Sequence, residues 1–411
     1  MRPLSIPFFS GSSRILVLVV LGLMSFGLCV QAQSFTDLHD FGSIANDGVS
    51  PSGRPMYFGS SLYGTTVGPG DGAIYKYALR TNTYSILHTF NGADGSVPYG
   101  GLFHRPGDAS GNQYGCTTGG GNGSGTIFRI NVTTGVLTTL YAFSQTSSMG
   151  NLHINAEGAA PLSVILNNSG DFYGVCAQGG ANGTGTLFKL SAAGVLTVLH
   201  TFSALNSNGQ NQDGAFSQSG LASGMYGVTP YGGSYGAGVL YHITQSGTFA
   251  VLHTFRSNAD GSNNGYQPVG TPLVAGGSIY GTTSMGGANA LQPGGAIYRY
   301  DLTSHTYNQL YVFSEAASGI NGDGVAPMAA LIHDTSGNLY GTCNGGGASG
   351  YGTVFRFNLT SSALTALHTF SGGNTDGIGP VTPLVLVSGA LYSTTLAGGS
   401  ANGGTLFKLV P

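Results

Sequence analysis

Charge is what this sequence has least of. Its 411 residues include 12 Lys+Arg and 15 Asp+Glu, 7% together, where soluble domains carry about a quarter. With a net charge of −3 there is no basic footprint to neutralise phosphates, so nucleic acid is excluded as an expected partner. Tryptophan is absent, which removes the strongest stacking platform for sugars, although 22 Tyr and 21 Phe remain. Cysteine is scarce: beyond the leader described below stand Cys116, Cys176 and Cys343. An odd number at wide spacing is neither a disulfide framework nor a CxxC metal site, and buried small apolar residues are expected there. No HExxH, paired carboxylate or phosphate loop occurs, and no GxSxG in a convincing context.

Glycine is abundant instead, 72 positions, alongside 41% hydrophobic residues. So much apolar and aromatic side chain excludes disorder, and the glycines follow no three-residue period, which excludes collagen. Residues 1–14 carry Arg2 and Arg14 without an acid, and Ile15 to Leu28 form an apolar run short for a membrane span. This reads as a secretory signal peptide over 1–32, with Val30-Gln31-Ala32 as the cleavage site and Gln33 as the first mature residue. Lipoprotein processing at Cys29 is the rival, disfavoured by the bulky Leu28. No second hydrophobic span follows, so the mature chain is expected to be secreted, to carry no membrane span and to be a monomer.

From there the chain repeats itself. A Tyr followed by small residues recurs at Tyr63, Tyr114, Tyr173, Tyr226, Tyr280, Tyr340 and Tyr392, a period of about 54 residues. After each comes a glycine and an apolar-aromatic-basic triplet ending in Lys76, Arg129, Lys189, His242, Arg299, Arg356 or Lys408. A third element, LHTF or LYxF, begins at Leu38, Leu87, Leu140, Leu199, Leu252, Leu310 and Leu367; a fourth is an acid followed by glycine at Asp47, Asp94, Glu157, Asp213, Asp260, Asp323 and Asp376. Four short strands per unit, punctuated by Gly, Asn, Ser and Asp, predict an all-β protein, a seven-bladed β-propeller of four-stranded antiparallel blades spanning 33–411 as one domain. A parallel β-helix would need shorter repeats. The first element, Ser34 to Phe41, is of the fourth-strand type, and the last, ending near Leu409, of the third. Pairing of the two would close the ring through the last blade and remove a sheet edge.

The linked motifs LYGTTxxGG, GTLFKL or GTVFRF, LHTF and Asp-Gly resemble the bacterial GloVer tandem-repeat proteins, also described as choice-of-anchor tandem-repeat proteins. The resemblance runs from Ser34 to Leu409. It implies a secreted or surface-attached bacterial protein with a propeller-like array, and no particular activity. The C-terminal anchoring segment common among such proteins is missing from this sequence, which favours free secretion.

Candidate sites follow from the repeat. The seven acid–glycine turns could ligate Ca²⁺ through carboxylate and nearby Asn oxygens; otherwise no cofactor is expected. The structural reading explains more, because Asp and Asn bond nearby amides and preform turns. The seven basic residues fit apolar stems on a sheet with charged heads in solvent, with a cationic ring for an anionic polysaccharide as the alternative. His39, His88, His200, His253 and His368 share the LHTF position with Tyr141 and Tyr311, so packing with a polar tip outweighs metal ligation. Outside the repeat, His104, Arg105, Asp108, Asp171, His333 and Asp334 fall at hairpin tips, where solvated turns are expected. The functional expectation is a non-catalytic binding or scaffold module for extracellular glycan or protein, contacting its partner through the acid–glycine turns and glycine loops. The rivals are a polysaccharide lyase or hydrolase acting at the channel, and a plain spacer.

Overall fold

The computed structural model describes residues 33–45, 47–105, 107–167, 169–257, 265–286, 294–314 and 319–411. It is all-β, a propeller of seven mostly four-stranded antiparallel blades. Blade 1 runs Val49–Phe58, Ser61–Gly68, Ala73–Ala78 and Thr83–Thr89, from innermost to outermost strand. Blades 2, 3 and 6 repeat that order. In blade 7 the innermost strand is Val385–Val387, followed by Ala390–Thr394 and Thr405–Val410, and the outermost is Ser34–Asp40 from the start of the chain. Ser34 lies opposite Val410, Thr36 opposite Lys408 and Asp40 opposite Thr405. The expected closure is therefore made by main-chain pairing.

Two blades depart from four even strands. Blade 5 splits its innermost strand into Tyr266–Pro268 and Leu273–Ala275. Blade 4 keeps three, Tyr226–Thr229, Val239–Ile243 and Phe249–Thr254. There Ser217 stands where the other blades carry a proline, and its hydroxyl donates to Val228 O at 2.9 Å. A separate hairpin, Ser147–Met149 with Leu152–Ile154, is inserted between blades 2 and 3.

The repeated motifs now have physical reasons. In all seven blades the recurrent Tyr of the second strand faces the basic residue of the third, as Tyr63 faces Lys76 and Tyr340 faces Arg356. The next residue, glycine in six blades, faces the triplet's aromatic ring. A Cβ on Gly174 would lie 2.4 Å from the Phe188 ring and 2.7 Å from Ser163 O, so no side chain fits beneath it. These rings fill the core, which sits between adjacent blades. Tyr63, Ile74 and Phe90 of blade 1 meet Leu102, Phe128 and Ile130 of blade 2, and Tyr392 and Leu406 of blade 7 meet Leu62 and Tyr75 of blade 1.

Main-chain bonds fasten blade to blade as well. The residue before each opening proline, or before Ser217, has φ between +51° and +65°, in six cases on a non-glycine such as Val97 or Gln267. Such a backbone persists only where its surroundings enforce it. Each of the seven donates its N–H, at 2.8–3.0 Å, to a carbonyl in the second-to-third loop of the preceding blade; Ser50 reaches Gly403 O across the closure.

Candidate functional site

The acid–glycine turns and the second-to-third loops lie against one another, so they form one face of the ring. Ser96 and Gly119 exchange both main-chain bonds, as do Val325 and Gly345.

Within each turn the acid is held by two donors. One is the tip of the LHTF or LYxF ring: His39 Nε2 lies 2.9 Å from Asp47, His88 2.8 Å from Asp94, His200 2.9 Å from Asp213 and His368 3.3 Å from Asp376. Tyr311 OH donates to Asp323 at 2.8 Å, and Tyr141 OH to Glu157. The other is the N–H just after the motif, from Gly42, Asn91, Ser144, Ser203, Ser314 or Ser371, at 2.6–3.1 Å. Histidine and tyrosine interchange because both carry a donor at the far end of a ring. Asn155, Asn211 and Asn321 complete the turn: Nδ2 donates to the carbonyls of Ser144, Ser203 and Ser314, and Oδ1 accepts from Gly158, Gly214 and Gly324. The glycine is obligatory, since a Cβ on Gly158, at φ +111°, would meet Thr186 Oγ1 at 2.3 Å and Cys176 at 2.8 Å.

Burial pushes the carboxyls of Asp47, Asp213 and Asp376 upward, but the bonds from His39, His200 and His368, the other donors around each acid and the charge of the histidines together outweigh it and hold all three below the usual carboxylate range. Both oxygens of Asp213 and Asp376 are engaged by the fold, and Asp47 Oδ2 by His39 and Gly42, while Asp47 Oδ1 has no partner among the described residues. Among the described residues no group of three His, Cys, Asp or Glu stands ready to hold a metal ion. Asp260 lies outside the described residues. In that copy Gly265 does the packing, meeting Thr283 as Gly158 meets Cys176.

The other candidates are similarly engaged. Lys189 pairs with Asp171 at 2.8 Å and Arg299 with Asp301 at 2.7 Å, while the Lys76 ammonium lies 6.0 Å from the centre of the Tyr63 ring. Asp108 accepts from Ser110 N at 2.8 Å, and Asp334 accepts from Ser336 N, Asn338 N and Tyr340 OH. His104 lies 3.3 Å from Asn112 O, and His333 is 3.2 Å from Asp334 O. Cys116, Cys176 and Cys343 are free and fully buried, and burial raises their thiol pKa values.

The loop face is distinguished by what it exposes. Among the described residues the exposed aromatics are all tyrosines: Tyr57, Tyr99, Tyr231, Tyr235 and Tyr351. Tyr231, Tyr235 and Tyr351 belong to second-to-third loops, and Tyr99 follows the opening proline of blade 2 at the inner rim. The Arg256 guanidinium sits 3.8 Å from the centre of the Tyr235 ring. Sequence reasoning passed over these four, because Tyr is also the commonest core ring here. It also passed over Arg54 on the innermost strand of blade 1. Registering the innermost strands from their opening prolines would have set Arg54 apart, since the matching residues elsewhere are uncharged.

The fold and its closure define a seven-bladed β-propeller. The chain belongs to the Gloeobacter/Verrucomicrobia repeat family, whose model matches residues 24–156, 149–289 and 224–411. Among curated proteins none matches it in sequence. Among solved structures it is similar to an oligogalacturonate lyase from Vibrio parahaemolyticus, with TM-score 0.53 and 11% identity over 92% of this chain and 97% of that one. A tricorn protease is matched at TM-score 0.42 and 13% identity over 87% of this chain, which spans 31% of that protein's length. A gluconolactonase from Xanthomonas campestris is matched at TM-score 0.41 and 11% identity over 92% and 89%. At such identities the likeness speaks to fold alone.

Proposed function

We propose that the chain is an exported, non-catalytic binding module whose loop face docks an extracellular glycan. The carrying observation is that Tyr99, Tyr231, Tyr235 and Tyr351 are exposed on that face, where the repeat's own recurrent tyrosines are buried or half-buried. Rigid aromatic faces rimmed by main-chain groups suit the apolar face and hydroxyls of a sugar ring. The lyase or hydrolase reading is less well supported, because the acids and histidines that could act as acid and base are bonded into the turns. Residues 1–32, the expected leader, lie outside the described residues; export is tested by locating the mature N-terminus by mass spectrometry, expected at Gln33.

The functional test is glycan-array binding by residues 33–411, with Tyr231→Ala, Tyr235→Ala and Tyr351→Ala as variants. Binding that falls at least tenfold in the variants at unchanged melting temperature supports the reading. Binding indifferent to all three tyrosines refutes it, and turnover of a bound glycan would transfer the chain to the enzymes.

A further inference from the structure

Aligned on the residue that follows the recurrent Tyr of the second strand, the seven innermost strands bring one short stretch each to the ring axis, where neighbours touch through their main chains. A Cβ on Gly53 would lie 2.2 Å from the Gly101 nitrogen, and one on Gly270 2.7 Å from the Ala329 carbonyl. The Gly220 N–H donates to Thr271 Oγ1 of the next blade at 3.1 Å. In this register stand Gly101, Ser163, Gly220, Thr271, Ala330 and Pro383, and in blade 1 Arg54, the one charged side chain among them.

Arg54 is singular in three further ways. It lies in an irregularity of the ladder: Ser52 faces Thr65 and Met56 faces Tyr63, so the stretch from Gly53 to Pro55 bulges out of register, and bulges of this kind re-aim side chains. Its side chain is exposed to solvent, yet the protein around it lowers the guanidinium pKa through desolvation. On an innermost strand, its exposed side chain stands at the opening that the seven innermost strands enclose. Among the described residues it has neither a carboxylate partner nor a hydrogen bond, and desolvation is the sole influence on its charge. An unpaired cation held in a recess is a cost that a bound anion would relieve.

Beside it, on the next innermost strand, a Cβ on Gly101 would come within 3.0 Å of Arg54 N, and two residues earlier the exposed Tyr99 marks the rim. A planar fork of donors takes a carboxylate through two parallel bonds, and a phenol ring alongside takes a sugar face. We infer that Arg54 binds the carboxylate of a uronate in an acidic glycan whose chain enters the axial recess past Tyr99. This rests on the binding-module reading and names its ligand class.

The test is calorimetric titration of residues 33–411 with a trigalacturonate, its methyl ester, a neutral trisaccharide and inorganic phosphate. Wild type should bind the acid at least tenfold more tightly than the ester, and more weakly as salt rises. Arg54→Ala should lose that preference at unchanged melting temperature, and Arg54→Lys should keep part of it. Equal binding of acid and ester, uronate binding unaltered in Arg54→Ala, or phosphate preferred to uronate would each overturn the assignment. Neutral glycan bound through Tyr231, Tyr235 or Tyr351, with no uronate bound, overturns this inference and leaves the module reading standing; no glycan bound at all overturns both.

Discussion

Replacing Asp37 by asparagine should stabilise the closing strand, and the gain should grow with pH. Asp37 and Asp40 lie on Ser34–Asp40, the strand that seals the ring. Asp37 Oδ1 and Asp40 Oδ1 are both buried and, among the described residues, without a donor, which one proton shared between the two carboxyls would satisfy. Burial raises the Asp37 carboxyl to about 8, helped by its bond to Asp40, the charge of Asp40 and that of Asp376; Tyr77 of blade 1 is the other titratable neighbour. At Asp40 burial acts upward too, but hydrogen bonds from Ser400 and Asp37 outweigh it. Between pH 4 and 8 the folded chain therefore holds a proton that the unfolded chain has lost, so this site's contribution to stability falls as pH rises and levels off above 8. At about 1.4 kcal/mol per pH unit the isolated limit is about 5–6 kcal/mol, and the half-exposed position screens it to about 2 kcal/mol. The amide introduced by Asp37→Asn would donate permanently to Asp40 without titrating. Calorimetry at pH 5, 7 and 9 should show the variant's advantage opening to about 2–3 °C for a domain of this size. A variant no more stable than wild type at pH 9, or an advantage constant across the range, would refute the shared proton.

Gln113 is fully buried and, among the described residues, both its amide atoms are unpartnered, so Gln113→Leu should raise stability by about 1–3 kcal/mol in denaturant unfolding. Gly174→Ala, whose Cβ would strike the Phe188 ring and Ser163 O, should cost at least about 1–3 kcal/mol. Asp213→Ala leaves His200 and Ser203 N without their acceptor and should cost about 1–3 kcal/mol near neutrality. Because the folded carboxyl of Asp213 sits below its ordinary value, that penalty should fade as pH falls below about 4. Chelation with EDTA should leave the melting temperature unchanged; a drop would restore calcium to the acid–glycine turns.

Much of the ring could be read from the sequence, because every strand type is written out seven times and the two ends hold complementary halves of one blade. Thr405–Val410 pairing with Ser34–Asp40 follows from order alone. What escaped is what periodicity averages away. The His–acid contacts span gaps of 6 to 13 residues, His88 to Asp94 at one extreme and His200 to Asp213 at the other, so no fixed spacing announces them. Arg54 was hidden because the innermost strands look alike at their apolar ends, from Leu102 or Leu331 onward, where blade 1 offers the ordinary Met56.

A residue present in every blade is accounted for by the ring: the acids fasten turns, the glycines admit rings or neighbouring strands, and the pre-proline amides bind one blade to the next. Recognition of a ligand needs the opposite, a place where one blade differs from six. His253 illustrates how such a place is told from an accident. It stacks on Tyr307 at 4.0 Å like its counterparts, but among the described residues Nε2 has no partner, and burial lowers its pKa to about 4. By the spacing acid-Gly-x-x-Pro, Asn264 holds the sequence position that the acid holds elsewhere. A neutral ring in a copy that carries an amide for the acid is self-consistent and calls for no ligand. Arg54 has no such resolution within its own blade: its charge persists at every physiological pH, and among the described residues nothing meets it. That asymmetry is why the axial recess, rather than the sevenfold turns, is where an anionic ligand should be sought.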